Sequence, residues 1–162
     1  MNRRTTTLSA FSAIAVAAAL TLTGCSSDSG SDAPAKAAAG KPQLKVSGAF
    51  MPEPAMDMGG GFLTITNTGD TADKLTSVTS AISDDVSIHE TKNQKMQPVK
   101  FFDIPANGEL KLERGGNHIM FMKMKQKPKQ GEKVAVELHF EKSDPLKVDL
   151  SVEAPNHNPK QH

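Results

Sequence analysis

Apolar and polar side chains alternate in short runs along most of this chain, and turn-forming residues separate the runs. A period of two marks β-strands with one buried face. The pattern predicts strands at QLKVSGAF (43–50), GFLTITNT (61–68), KLTSVTS (74–80), DVSIHET (85–91) and KFFDI (100–104). It predicts four more at ELKLE (109–113), HIMFMK (118–123), KVAVELHFE (133–141) and LKVDLSVE (146–153). Turn signals stand between them at Asn67-Thr68-Gly69-Asp70, Ala106-Asn107-Gly108, Arg114-Gly115-Gly116-Asn117, Lys129-Gln130-Gly131-Glu132 and Ser143-Asp144-Pro145. No segment carries a convincing helical period, so the expected fold is all-β, an antiparallel sandwich or barrel.

Alternation also assigns faces. In the run 85–91, Val86 and Ile88 point one way and Ser87 and His89 the other. In the run 118–123, Ile119 and Phe121 form the core side, which turns His118, Met120 and Met122 outward or toward a rim, with Met124 continuing their series. Core strands are usually built from β-branched and aromatic residues, so a His-Met-Met face needs a reason. Packing is the ordinary reason for a methionine stripe, because the thioether chain is flexible and apolar. His139 shares its face with Lys133, Glu137 and Glu141, which reads as a solvated surface and leaves it outside any site.

The ends of the chain differ from its middle. MNRRTTT followed by LSAFSAIAVAAALTL has the charged start and apolar run of an export signal, too short for a structural membrane span. It ends in Leu22-Thr23-Gly24-Cys25, which resembles a lipoprotein lipobox and makes Cys25 the expected lipidation site, with residues 1–24 as the signal peptide. Residues 25–42 then hold the anchor and a Ser/Ala/Gly/Pro tether without large apolar side chains, and residues 154–162 are expected to be a disordered tail carrying His157 and His162. The domain is therefore 43–153, long enough for one core. Removing residues 1–24 takes out Arg3 and Arg4 and leaves 17 basic against 18 acidic side chains, a net charge of −1. That balance gives no sign of nucleic-acid binding. With the single cysteine committed to the anchor, the domain has neither a disulfide nor a thiolate.

One constellation changes the reading of the methionines. His89, Met96, His118 and Met120 follow the spacing H-x6-M-x21-H-x-M. This resembles the periplasmic copper chaperones called PCu(A)C, whose pattern is H-x10-M-x21-H-x-M. The interval from Met96 to Met120 matches in full, and the interval from His89 to Met96 is four residues shorter. GAFMPEPAMDMGGGFLTITNTGD, IHET, IPANGELKLERGGNHIMFM and KPKQGEKV are also similar to that family, so the likeness runs from about Val46 to Val152. The resemblance implies a cupredoxin-like Greek-key β-sandwich, a copper ligand set of His89, Met96, His118 and Met120, and delivery of copper to the CuA centre of cytochrome c oxidase. Its partners would be the CuA subunit, a Sco-type thiol protein, or both.

Donor chemistry points the same way. Soft thioethers with borderline imidazoles and no carboxylate favour Cu(I), with Cu(II) second, over zinc, calcium or magnesium. Blue-copper electron transfer requires a cysteine ligand and is excluded. Transfer by ligand exchange needs no catalytic group, so no enzyme activity is expected. Met51, Met56 and Met58 in the loop MPEPAMDMGGG, together with Met122, are candidate auxiliary ligands, a flap, or packing. The expected location is the extracytoplasmic face of the membrane, held by the lipid. A copper buffer or resistance lipoprotein and a metal-free β-sandwich interaction module are the two other functions compatible with the sequence.

Overall fold

A computed structural model of the protein describes residues 40–159. The expected signal peptide, Cys25, residues 26–39 of the expected tether and residues 160–162, His162 among them, lie outside the described residues. Ten strands follow one another: β1 (Leu44–Pro52), β2 (Gly59–Asn67), β3 (Asp73–Ser80), β4 (Asp85–Lys92), β5 (Lys95–Pro98), β6 (Phe102–Ile104), β7 (Gly108–Leu112), β8 (His118–Met122), β9 (Lys133–Phe140) and β10 (Leu146–Glu153). Their lateral order is β5-β4-β8-β2-β1-β10-β9-β3-β6, with β7 also paired to β2. The described residues contain no helix long and apolar enough to cross a membrane.

Strand β2 joins the two faces of the sandwich. Gly59–Gly61 pairs with β8, whereas Leu63–Asn67 pairs with β7, and β1 runs along the other edge. The glycine run lets the two layers close at this point. A Cβ on Gly61 would stand 3.0 Å from both Leu150 Cδ1 of β10 and Phe121 Cε2 of β8. Behind it the core is built from the apolar positions that alternation selects, including Leu63, Ile65, Ile88, Ile119, Phe121, Leu138 and Leu150.

The expected all-β sandwich is found, and two features go beyond the expected pattern. The pairing is antiparallel except between β1 and β10, which run parallel with Phe50 opposite Ser151 and Pro52 opposite Glu153. These strands are joined through the whole domain rather than by a hairpin, so no tight turn imposes antiparallel direction. The stretch after Glu153, expected to be a disordered tail, is placed as far as residue 159. Arg114 Nη1 donates to the carbonyls of Pro155 (3.1 Å) and His157 (2.9 Å), and the His157 ring meets Phe50 edge-on at 5.0 Å. Backbone carbonyls and one ring contact hold this segment, neither of which shows in an apolar pattern.

The loops after β2 and β9 are tied by buried polar groups. Asn67 is fully buried and accepts from the backbone N–H of Gln43 and Gly69 while donating to the carbonyls of Thr71 and Pro105. Asp73 accepts from the backbone N–H groups of Lys74, Lys142 and Ser143 and from the Ser143 hydroxyl. Burial alone would raise the Asp73 pKa, but these four donors outweigh it and hold the carboxyl below its usual value.

Candidate metal centre

The outer face of β4 and β8 carries the candidate residues because of register. His89 and His118 are direct cross-strand partners, Ser87 stands opposite Met120, and Met120 stands opposite Gly60 of β2. Partners in an antiparallel pair point to the same side, so both imidazoles and the Met120 thioether share one face. The rings of His89 and His118 lie 5.7 Å apart between centroids.

Met96 arrives by a route that the sequence spacing left open. Asn93 and Gln94 both have positive φ, 51° and 62°, and connect Lys92 to its partner Lys95 as a two-residue hairpin. Positive φ at both central positions is the geometry of a type I′ turn, whose twist matches the flanking strands. The register then sets Met96 opposite Thr91, on the face of His89 and diagonal to it. Such diagonal neighbours are about 7–8 Å apart at the backbone, within reach of a methionine side chain. The hairpin that shortens the His89–Met96 interval by four residues therefore still delivers the thioether to the site.

Glycine is the residue usually found where Gln94 stands. Left-handed backbone costs a side-chain-bearing residue roughly 1 kcal/mol. Gln94→Gly is expected to stabilise the protein by about that amount in urea denaturation, and a loss of stability would contradict the turn assignment.

Burial distinguishes the two histidines from surface residues. His118 is 6% exposed although it sits on the outer face, because Phe62 (ring centroids 6.4 Å apart) and the Arg114–Gly115 loop cover it. Its Nδ1 lies 2.9 Å from the Gly116 carbonyl. A carbonyl only accepts, so Nδ1 carries the proton and Nε2 carries the lone pair. On His89, Nε2 is 3.0 Å from the Ser87 hydroxyl. The two nitrogens left over, His118 Nε2 and His89 Nδ1, are buried and have no hydrogen-bond partner. An unpartnered buried polar atom costs on the order of 1–3 kcal/mol, and two on directly paired residues call for a ligand.

The electrostatics agree with metal ligation. Burial first, and then the neighbouring His118, lower the pKa of His89, which keeps its imidazole neutral. Met96, His118 and Met120 line one cleft together with Gly60, Phe62 and Thr91. Among the described residues no three His, Cys, Asp or Glu side chains gather to hold a metal. The thioethers that share this face with the two imidazoles are donors suited to a soft ion.

The remaining candidates divide by burial. Met51 is fully buried in the core, as is most of Met124, so Met51 is removed from the auxiliary set: its side chain packs beneath Gly59. Met56 and Met58 are exposed, and Met122 is half-buried on the same face as Met120. His139 lies on β9 with its Nε2 3.1 Å from Thr79 Oγ1, apart from this site. Three supporting groups were not singled out from sequence: Ser87, the Gly116 carbonyl and the Phe62 wall. Alternation placed Ser87 on the right face, and only its hydrogen bond reveals its role.

Residues 44–152 match the family described as "Putative lipoprotein LpqE-like". A relative called "Putative lipoprotein Lxx21020", from Leifsonia xyli subsp. xyli, is 35% identical over 128 residues, 75% of each chain. Among solved structures, the copper-bound PCuAC domain from PmoF2 superposes with a TM-score of 0.63 at 23% identity, over 73% of this chain and 97% of that one. The apo PCuAC domain from PmoF1 gives 0.62 at 28%, over 69% and 94%. The CuI form of DR1885 from Deinococcus radiodurans gives 0.57 at 26%, over 75% and 85%. The architecture is thus the cupredoxin-like β-sandwich of PCuAC domains, and by its sequence the chain belongs to the LpqE-like lipoprotein family.

Proposed function

We propose that this protein is an extracytoplasmic copper carrier, anchored to the membrane through lipidated Cys25, that holds Cu(I) with His89 Nδ1, Met96, His118 Nε2 and Met120. The observation that carries this reading is the pair of buried, unpartnered ring nitrogens on cross-strand partners. Copper in two solved relatives of the same fold and the lipoprotein name of the family support it. All four donors are neutral, so the ion keeps its full charge and is held without the thiolate that would retain it. Release proceeds by ligand exchange as an acceptor sulfur replaces a donor methionine. The recipient is the CuA centre of cytochrome c oxidase, reached directly or through a Sco-type protein, and the lipid anchor raises the effective concentration of the domain at the membrane.

X-ray absorption of the copper-loaded protein tests the ligand set. Sulfur and nitrogen scatterers together are expected, and a shell of oxygen and nitrogen alone would remove the methionines. In cells, normal oxidase activity with raised copper sensitivity after deletion would make the protein a buffer instead.

Proton competition gives a second test. Only neutral imidazole ligates, and the lowered pKa of His89 delays its protonation to below the ordinary 6.5. Affinity for Cu(I) is expected to be level above about pH 6.5 and to fall as pH drops further. The apo protein follows the same sign. The unfolded chain takes up the His89 proton more readily than the folded one, so this contribution to stability is present above about 6.5 and lost as pH falls from there toward the folded pKa. Affinity unchanged down to about pH 5 would exclude histidine ligation.

A further inference from the structure

Four large apolar side chains are strongly exposed among the described residues, and three of them are methionines: Met56 (59%), Met58 (39%) and Met96 (61%). Met96 belongs to the site already described. Met56 and Met58 do not, and at that exposure they contribute little to packing, whereas Met51 and Met124 are buried in the core.

The register brings Met58 toward β8. Met58 immediately precedes Gly59, whose partner is Phe121, and Met122 is the next residue along β8. Met122 therefore turns to the outer face, opposite to buried Phe121, and exposed Met58 is the loop residue that enters β2 beside it. The loop is not free to swing away, because the Asp57 carbonyl accepts a 2.9 Å hydrogen bond from the Met124 backbone N–H. Asp85, the β4 partner of Met122, adds a carboxylate beside this spot, 3.4 Å from Lys123 Nζ.

We propose that Met58 and Met122, with Met56 as a third donor, form an outer site for a soft monovalent cation, Cu(I) or its redox-silent analogue Ag(I). Thioethers without thiolate or imidazole bind such an ion selectively and weakly. Met120 and Met122 are two residues apart on one strand face, a separation of about 7 Å. An ion leaving the histidine pair passes from Met120 to Met122 by forming one sulfur–metal bond as another opens, with no change of oxidation state. The outer site exists independently of the inner one. Its use as a staging point for release rests on the carrier function proposed above.

Ag(I) titration of the full chain carrying ¹³C-methyl methionine tests this. The first equivalent is expected to shift the methyl signals of Met96 and Met120, and a second, weaker equivalent those of Met58 and Met122. Met58→Leu with Met122→Leu should lose the second equivalent and keep the first. His89→Ala with His118→Ala should weaken the first and keep the shifts at Met58 and Met122. Saturation at one equivalent with Met58 and Met122 unmoved would overturn the outer site, as would a second equivalent that survives in the leucine variant. Failure of the first equivalent alone would count against the inner site and leave the outer one standing.

Discussion

His118→Ala is expected to weaken binding of Cu(I) or Ag(I) by more than about 100-fold, beyond the 10–100-fold typical when only a partner of a ligand is lost. The substitution removes a buried lone pair held in the ligating tautomer by the Gly116 carbonyl. The same change should hardly harm the apo fold. Nε2 is already without a partner, so deleting the ring relieves a desolvation cost that offsets the lost packing against Phe62. A stability within about 1 kcal/mol of the wild type is expected. Ser87→Ala is the graded control: it frees His89 Nε2 without touching the ligating nitrogen, and about tenfold weaker binding is expected. Competition against a Cu(I) chelator measures both. Equal affinities for wild type and His118→Ala would end the proposal that this face holds the metal.

Much of this geometry was legible because a period-two pattern fixes faces. The run His118 to Met122 gave the core side and the outer side of β8 correctly, and Ser87 with His89 gave those of β4. What alternation could not give was depth. His118 lies on the outer face yet is buried, because Phe62 folds over it from β2 and the loop before β8 closes the other side. Strand β5 was missed for a related reason. Lys95–Pro98 is exposed along its whole length and has no apolar alternation, and its turn is Asn-Gln rather than the Asn-Gly that usually announces such a hairpin. The methionines of residues 51–58 look alike in sequence. Met51 belongs to β1 and turns into the core, whereas Met56 and Met58 follow Pro54 into the loop, a difference of backbone direction rather than composition.

Phe121→Ala should have the largest effect on folding, a loss of about 3–5 kcal/mol. Phe121 is fully buried, packs toward Leu150 across the interior, and pairs with Gly59 on one side and Val86 on the other. Its ring is the floor beneath the strand that carries His118 and Met120. Truncation leaves a cavity where three strands converge, and glycines on β2 offer no side chain to refill it. The urea midpoint should fall, with its slope unchanged if the fold is retained. Metal then separates support from ligation. An ion that binds only the native state adds RT ln(1 + [L]/Kd), about 2.7 kcal/mol at a hundredfold excess over Kd. Wild type and Phe121→Ala should both gain that increment, each at a hundredfold excess over its own Kd. His118→Ala, at the free-ion concentration used for wild type, should gain about 0.4 kcal/mol or less, the residue of a 100-fold weaker site. If Phe121→Ala costs less than about 1 kcal/mol, the interior is not organised around this ring. If instead His118→Ala gains the full increment, the ion stabilises the fold from somewhere other than the paired histidines.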